Sequence, residues 1–195
     1  MHIDGDFTGV DWYGRDLGDA VYRDCRFVDA DLSETSTRGA VFEECDFSGA
    51  KLNVSTHERT AFLRCRFHRA SLFDATLDGC KLTGSDFAGA TLYPVTVRGG
   101  DWSYVSLRGA RLARVDLSGV NLAHADLTEA DLRKAVLHRA DLSHARLDKA
   151  RLKEADLREA RLEGVDTREL ELSDVRVTML QAVVFARHRG AIVEV

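Results

Sequence analysis

Cysteine and histidine are the residues here best able to hold a metal or attack a substrate, and the chain has four of the first and seven of the second. Their spacing argues against both uses. No two cysteines form a Cys-x-x-Cys pair, the arrangement a thiolate cage for zinc needs. Ser, His and Asp are plentiful, but there is no Gly-rich phosphate loop and no His-Glu-x-x-His. No catalytic residue, metal site or cofactor is therefore expected. Asn53-Val54-Ser55 has the form of a glycosylation acceptor. The opening Met1-His2-Ile3-Asp4 lacks the basic start and apolar run of a signal peptide, so the expected location is cytoplasmic and that acceptor is expected to go unused. No stretch nears the roughly 18 apolar residues of a membrane span.

Carboxylates are the other group with chemistry to offer. The formal net charge of -5 provides no general basic field, and direct nucleic-acid binding is not expected. Charge is unevenly spread. Residues 1–48 hold 12 acids and 4 bases; residues 51–70 hold Lys51, Arg59, Arg64, Arg66 and Arg69 against Glu58 alone; from 101 onward there are 16 of each sign. Asp6, Asp11, Asp16, Asp31, Glu43, Glu44, Asp46 and Asp86 are the candidate outward acids for contact with a partner. An aspartate at such positions can instead close a corner by accepting a backbone hydrogen bond.

What must position these groups is a repeat. Every fifth residue from Phe7 to Val177 gives 35 positions, all apolar or aromatic except Thr37, His57 and Thr167. Two residues before each centre runs a second column, Gly5 to Val175, in which only Arg15 and Leu170 are not small, and which contains all four cysteines. On an α-helix a period of five would carry the apolar residues round every side. In a continuous strand an odd period would throw every second centre into water. The pattern is satisfied when each five-residue unit is a short extended piece, small and large residues both inward, followed by a corner. Such units wind into a solenoid stacked at about 4.8 Å.

Units such as Ala125-Asp126-Leu127, Ala130-Asp131-Leu132, Ala140-Asp141-Leu142 and Ala155-Asp156-Leu157 resemble the A(D/N)LXX unit of the pentapeptide-repeat family, over about nine-tenths of the chain. The resemblance implies an all-β fold, a right-handed quadrilateral β-helix with four units, or 20 residues, per coil. A spacing of 20 independently aligns Phe7, Phe27, Phe47, Phe67 and Phe87, continued by Leu107, Leu127 and Leu147. It also aligns Cys25, Cys45 and Cys65, read as small core residues and not as disulfides, because their parallel side chains point the wrong way. Thr37 and His57 lie one coil apart, with Leu77 next, and are expected to share a buried hydrogen bond. His124 and His144 are also one coil apart and are expected to be exposed and unrelated. Residues 1–177 form the β-helix, about 35 units in about nine coils, with a kink expected near Pro94, the one proline.

The period ends after Val177. Thr178-Met179-Leu180-Gln181 reads as a capping box opening a short helix, with Gly190 as its stop, so residues 178–195 form a C-terminal helix and tail that cap the coil. Met179, Leu180, Val183, Val184 and Phe185 are more apolar residues than a lid over one coil end requires. A symmetric homodimer through this helix is expected, with Ala191 to Val195 adding a strand across the contact. Gln181-Ala182-Val183, Phe185-Ala186 and Gly190, together with Cys45-Asp46-Phe47-Ser48-Gly49, His57 and the Leu92-x-Pro94 corner, are similar to the MfpA-type fluoroquinolone-resistance branch of the family, related to the Qnr group. That resemblance implies a dimeric rod with the size and charge of B-form DNA, which binds DNA gyrase in DNA's place and relieves fluoroquinolone poisoning. Qnr proteins carry loops that interrupt the repeats, and the register here has none. About nine coils at about 4.8 Å make a rod of roughly 42 Å, and a tail-to-tail dimer of about 85 Å matches about 25 base pairs. The alternative is a structural or adaptor solenoid binding another protein. An enzyme or a ligand-binding solenoid would need a cleft or regular outward threonine rows, and neither is expected.

Overall fold

The computed structural model describes residues 2–168 and 170–194. Its strands are β1 (His2–Ile3), β2 (Val21–Arg23), β3 (Ser36–Arg38), β4 (Val41–Glu43), β5 (Thr56–Glu58), β6 (Ala61–Leu63), β7 (Ala75–Asp78) and β8 (Val95–Arg98), followed by the helix α1 (Met179–His188). β1, β2, β4 and β6 stack in one parallel sheet and β3, β5, β7 and β8 in another. Register is 20 throughout: Val21 faces Val41, and Val41 faces Ala61. Single parallel bridges continue the same step, as in Asp6–Arg26–Asp46–Arg66–Asp86–Ser106–Asp126–Arg146. The result is a right-handed quadrilateral β-helix with one short helix at its C-terminal end. Its walls are named here after the centres of the first coil, Phe7, Trp12, Leu17 and Tyr22.

The bore is filled as the period predicts. Phe27, Phe47, Phe67 and Phe87 stack face to face, with ring centroids 4.9, 4.9 and 4.6 Å apart. Tyr22, Phe42 and Phe62 form a second stack at 5.1 and 5.0 Å, edge-on to the first. Beyond Phe87 one further aromatic, Trp102, is fully buried, and from there the bore turns aliphatic, with Leu107, Leu112, Leu117, Leu122 and Leu127 fully buried. All four cysteines are buried and free. Thr37 Oγ1 and His57 Nδ1 are 2.7 Å apart, and His57 Nε2 reaches Ser55 Oγ at 3.0 Å, so the two polar intruders satisfy each other inside the rod.

Corners are built from two devices. The aspartate before a centre accepts the backbone N–H two residues on, as in Ser33 N–H to Asp31 Oδ1 at 3.0 Å. The residue two after a centre adopts a left-handed conformation, for example Val54 at φ 59° and His124 at φ 60°. Side chains at that corner lie over the next coil. Asp29 covers Gly49 and His144 covers Gly164 so closely that neither glycine has room for a Cβ.

Stacking opens beside Pro94, which follows a cis peptide bond. Between the coils on either side of it, Lys81 bridges Asp101 and Asp86 bridges Ser106. Among the described residues the equivalent bridges from Thr91 to Arg111 and from Thr96 to Asp116 are missing. Two walls therefore part while two stay closed. The gap holds crevices of about 310 and 450 Å³, with Tyr93 lining both. The expectation of no cleft is thus corrected: Pro94 has no N–H to donate to the next coil as Val54 does to the Phe73 carbonyl, and the ladder beside it does not close. The expectation of no outward threonine row is corrected as well. Ser36, Thr56, Thr76 and Thr96 stand in register on the Leu17 wall.

Helix α1 closes the C-terminal end. Thr178 accepts from the Gln181 N–H and the Gln181 side chain accepts from the Thr178 N–H, a complete capping box. The same Gln181 side-chain amide donates to the carbonyls of Leu157 at 2.7 Å and Ala160 at 3.0 Å, covering acceptors the end of the stack would expose. Phe185 is 5% exposed and seals the bore. Residues 191–194 form no strand; Val195 lies outside the described residues. No described helix is long and apolar enough to cross a membrane.

Candidate functional surface

The eight candidate acids do not converge. Asp6, Asp46 and Asp86 share the Phe7 wall, Asp11 and Asp31 the Trp12 wall, Asp16 lies on the Leu17 wall, and Glu43 and Glu44 are on the Tyr22 wall. All six aspartates accept the N–H two residues on, through Thr8, Tyr13, Gly18, Ser33, Ser48 and Ala88. Corner closure is therefore one role of each, whatever else it does.

Ion pairing divides them further. Glu43 meets Arg64 at 2.6 Å and Arg23 at 3.1 Å, and Glu44 meets Arg64 at 2.9 Å. Asp31 pairs with Lys51 at 3.7 Å, Asp46 with Arg66 at 4.0 Å, and Asp86 with His68 at 2.8 Å. Each partner lies about one coil before or after its acid, so these pairs run across coils. Asp6, Asp11 and Asp16, all in the first coil, make no ion pair among the described residues. The Thr8 hydroxyl and N–H hold the Asp6 carboxyl below its ordinary pKa, and the Gly18 N–H with the Ser36 hydroxyl does the same for Asp16. These three are the free carboxylates of the set.

The remaining surface is mixed. Tyr104, His124 and His144 form an outward stack at 4.6 and 5.0 Å, so the two histidines are related, as stacked rings. No group of three or more His, Cys, Asp or Glu among the described residues is arranged to hold a metal ion. On the Trp12 wall Arg111, Arg114, Arg133, Lys134, Arg151 and Lys153 face two acids, Asp131 and Glu154. The step of twenty in the sequence carries this basic stretch, whereas the whole wall is near neutral because Asp11, Asp31, Glu34 and Asp74 stand further up it.

At the C-terminal end, Met179 is 85% and Leu180 80% exposed, Val184 is exposed and Val183 half-buried. Phe185, expected at a contact between copies, is turned into its own coil instead. Leu180 and Val184 border a depression of about 450 Å³ against Leu162 and Gly164.

The repeat is also found by comparison. A family model described as pentapeptide repeats matches eight copies, over residues 25–53, 59–93, 103–139 and 135–166. The chain belongs to the pentapeptide-repeat family. Two solved structures of QnrB1, a plasmid-mediated fluoroquinolone resistance protein, are similar to this pentapeptide-repeat protein from end to end. A trypsin-treated form gives a TM-score of 0.76 at 21% identity, covering 100% of this chain and 97% of that one. The full-length form gives 0.72 at 21%, covering 97% and 99%. At this identity the likeness is one of fold. No curated protein sequence matches the chain.

Proposed function

We propose that this pentapeptide-repeat protein binds DNA gyrase, a type II topoisomerase, in the place of duplex DNA, and so modulates the enzyme and protects it from fluoroquinolones or a self-made gyrase poison. The observation that carries the reading is the end-to-end match to a fluoroquinolone resistance protein, coil and terminal helix together, at TM-scores of 0.72 to 0.76. Supporting it, seven steps of one ladder, from Asp6 to Arg146, make an unbroken wall of roughly 34 Å at about 4.8 Å per step. The free first-coil carboxylates at Asp6, Asp11 and Asp16 supply the phosphate-like charge, and the paired acids Asp31, Glu43, Glu44, Asp46 and Asp86 contribute shape more than charge. The rod works as a homodimer joined through Met179, Leu180, Val183 and Val184. Binding needs no cofactor, metal or catalytic residue.

The test uses gyrase supercoiling of a relaxed plasmid and drug-induced DNA cleavage, each titrated with the protein. Loss of supercoiling or of cleavage at micromolar dimer is expected. Replacing Asp6, Asp11 and Asp16 together by Asn keeps the corners, since Asn121 closes its own corner through Ala123 N–H at 3.0 Å, and removes the charge. That triple variant should need at least tenfold more protein, whereas Glu43→Gln with Glu44→Gln should change little. No effect of the wild-type protein on either reaction would favour the second reading, an adaptor rod for another protein. The observation on that side is the pairing of five of the eight candidate acids with bases.

A further inference from the structure

The basic stretch of the Trp12 wall is concave. Around Ala113, whose small side chain leaves a dent, Arg114, Arg133, Lys134, Lys153 and Glu154 enclose a depression of about 340 Å³. Four cations and one acid line it. Arg133 is held in place by Asp131, Nη2 to Oδ2 at 2.8 Å, and Lys134 lies 3.3 Å from Glu154. Arg114 and Lys153 make no ion pair among the described residues, and both are exposed. Two uncompensated charges and two anchored ones thus point at the same hollow, a geometry in which Coulomb attraction for an anion is not cancelled locally.

We propose that this hollow is a binding site for a small anion carrying two or three phosphoryl groups. Its size lies within the range of small-molecule sites. The unpaired guanidinium fork of Arg114 suits phosphate oxygens two at a time, Arg133, whose Nε and Nη2 are held by Asp131, has Nη1 left to donate, and the lysines supply point charges. The basic stretch also limits what can fit. It spans three rungs, Arg111 to Arg151, about 10 Å along the rod, and then meets Glu171 and Asp174 on one side and Asp74 on the other. A duplex would carry phosphates past both limits into those carboxylates, so a short polyanion is favoured over a nucleic acid.

The test needs no gyrase and stands apart from the function proposed above. Inorganic tripolyphosphate, titrated into the purified protein by calorimetry at low salt, should bind one per chain and weaken steeply as salt is raised. The double variant Arg114→Gln, Lys153→Gln should weaken it at least tenfold with an unchanged far-ultraviolet spectrum. Arg139→Gln, on the neighbouring wall, should leave it unaltered. Absence of saturable binding at millimolar tripolyphosphate would overturn the site. So would equal weakening by the Arg139 variant, or a duplex of 20 base pairs that binds through Arg114 and Lys153 more tightly than tripolyphosphate does.

Discussion

His57 occupies a bore position that Leu77 takes one coil on, and burial pushes its pKa down to about 4 from an ordinary 6.5. A base that is harder to protonate when folded takes its proton preferentially when unfolded. Its contribution is therefore complete above about pH 6.5 and is lost as pH falls toward 4, a change of about 3 kcal/mol. In urea unfolding at pH 7.5, 5.5 and 4.5, His57→Leu should abolish the part of the pH dependence that lies in this window. Thr37 keeps Thr60 at 2.6 Å and Ser55 keeps the Leu52 carbonyl at 2.7 Å, so the variant leaves neither hydroxyl orphaned. An unchanged slope would show that the imidazole is not buried. Val54 carries a branched side chain at φ 59°, a conformation that suits Gly or Asn. Val54→Gly should raise stability by about 1 kcal/mol in the same assay; a decrease would contradict the corner geometry. The Thr37–His57 bond was legible in the sequence because both residues break one column a single period apart. The pairing of Glu43 and Glu44 with Arg64 was not, because it joins positions off the apolar columns.

At the scale of elements, the period of five was readable from the column of centres running from Phe7 to Val177 and the step of twenty from Phe7, Phe27, Phe47, Phe67 and Phe87, since only one packing brings every centre inward. Whether adjacent coils close on one another is a different matter. It depends on backbone groups that the apolar pattern does not encode, and the opening at Pro94 could be read only as an expected kink. Without the Thr91–Arg111 and Thr96–Asp116 bridges, the amides of Val97 and Asp116 lack the partners that Leu117 finds in Val136. Hydrogen exchange at Val97 and Asp116 should be faster than at Leu117 by at least tenfold, and equal protection would mean the walls are closed. The C-terminal helix was legible in its start, through the Thr178 and Gln181 box, but not in its facing. Five apolar residues within seven leave no polar side to orient it, and Phe185 turns inward. If the proposed dimer forms through this helix, light scattering should give a dimer for the wild type and monomers for Leu180→Glu with Val184→Glu while the coil keeps its spectrum; a dimer surviving that change would place the contact elsewhere.

For the whole molecule, shape is better established than charge. The stacked coils form a right-handed quadrilateral β-helix, but about half of its acids are ion-paired with bases of the same or a neighbouring coil, and one wall of its second half carries a basic stretch. The candidate acids without an ion pair are Asp6, Asp11 and Asp16 of the first coil, which lies within the stretch where sequence composition put the acid excess. Which acids remained free could not be read before the coils were stacked, because freedom is a property of neighbours twenty residues away. The most direct measurement is competition. A fluorescent duplex is bound to gyrase and its anisotropy followed as the protein is added, at fixed salt and at several duplex concentrations. Displacement is expected, with the protein concentration for half-displacement rising in proportion to free duplex and increased at least tenfold by the Asp6, Asp11 and Asp16 to Asn changes. An anisotropy that stays level up to a large excess of dimer, or a loss that duplex cannot reverse, would contradict the claim that this rod takes DNA's place.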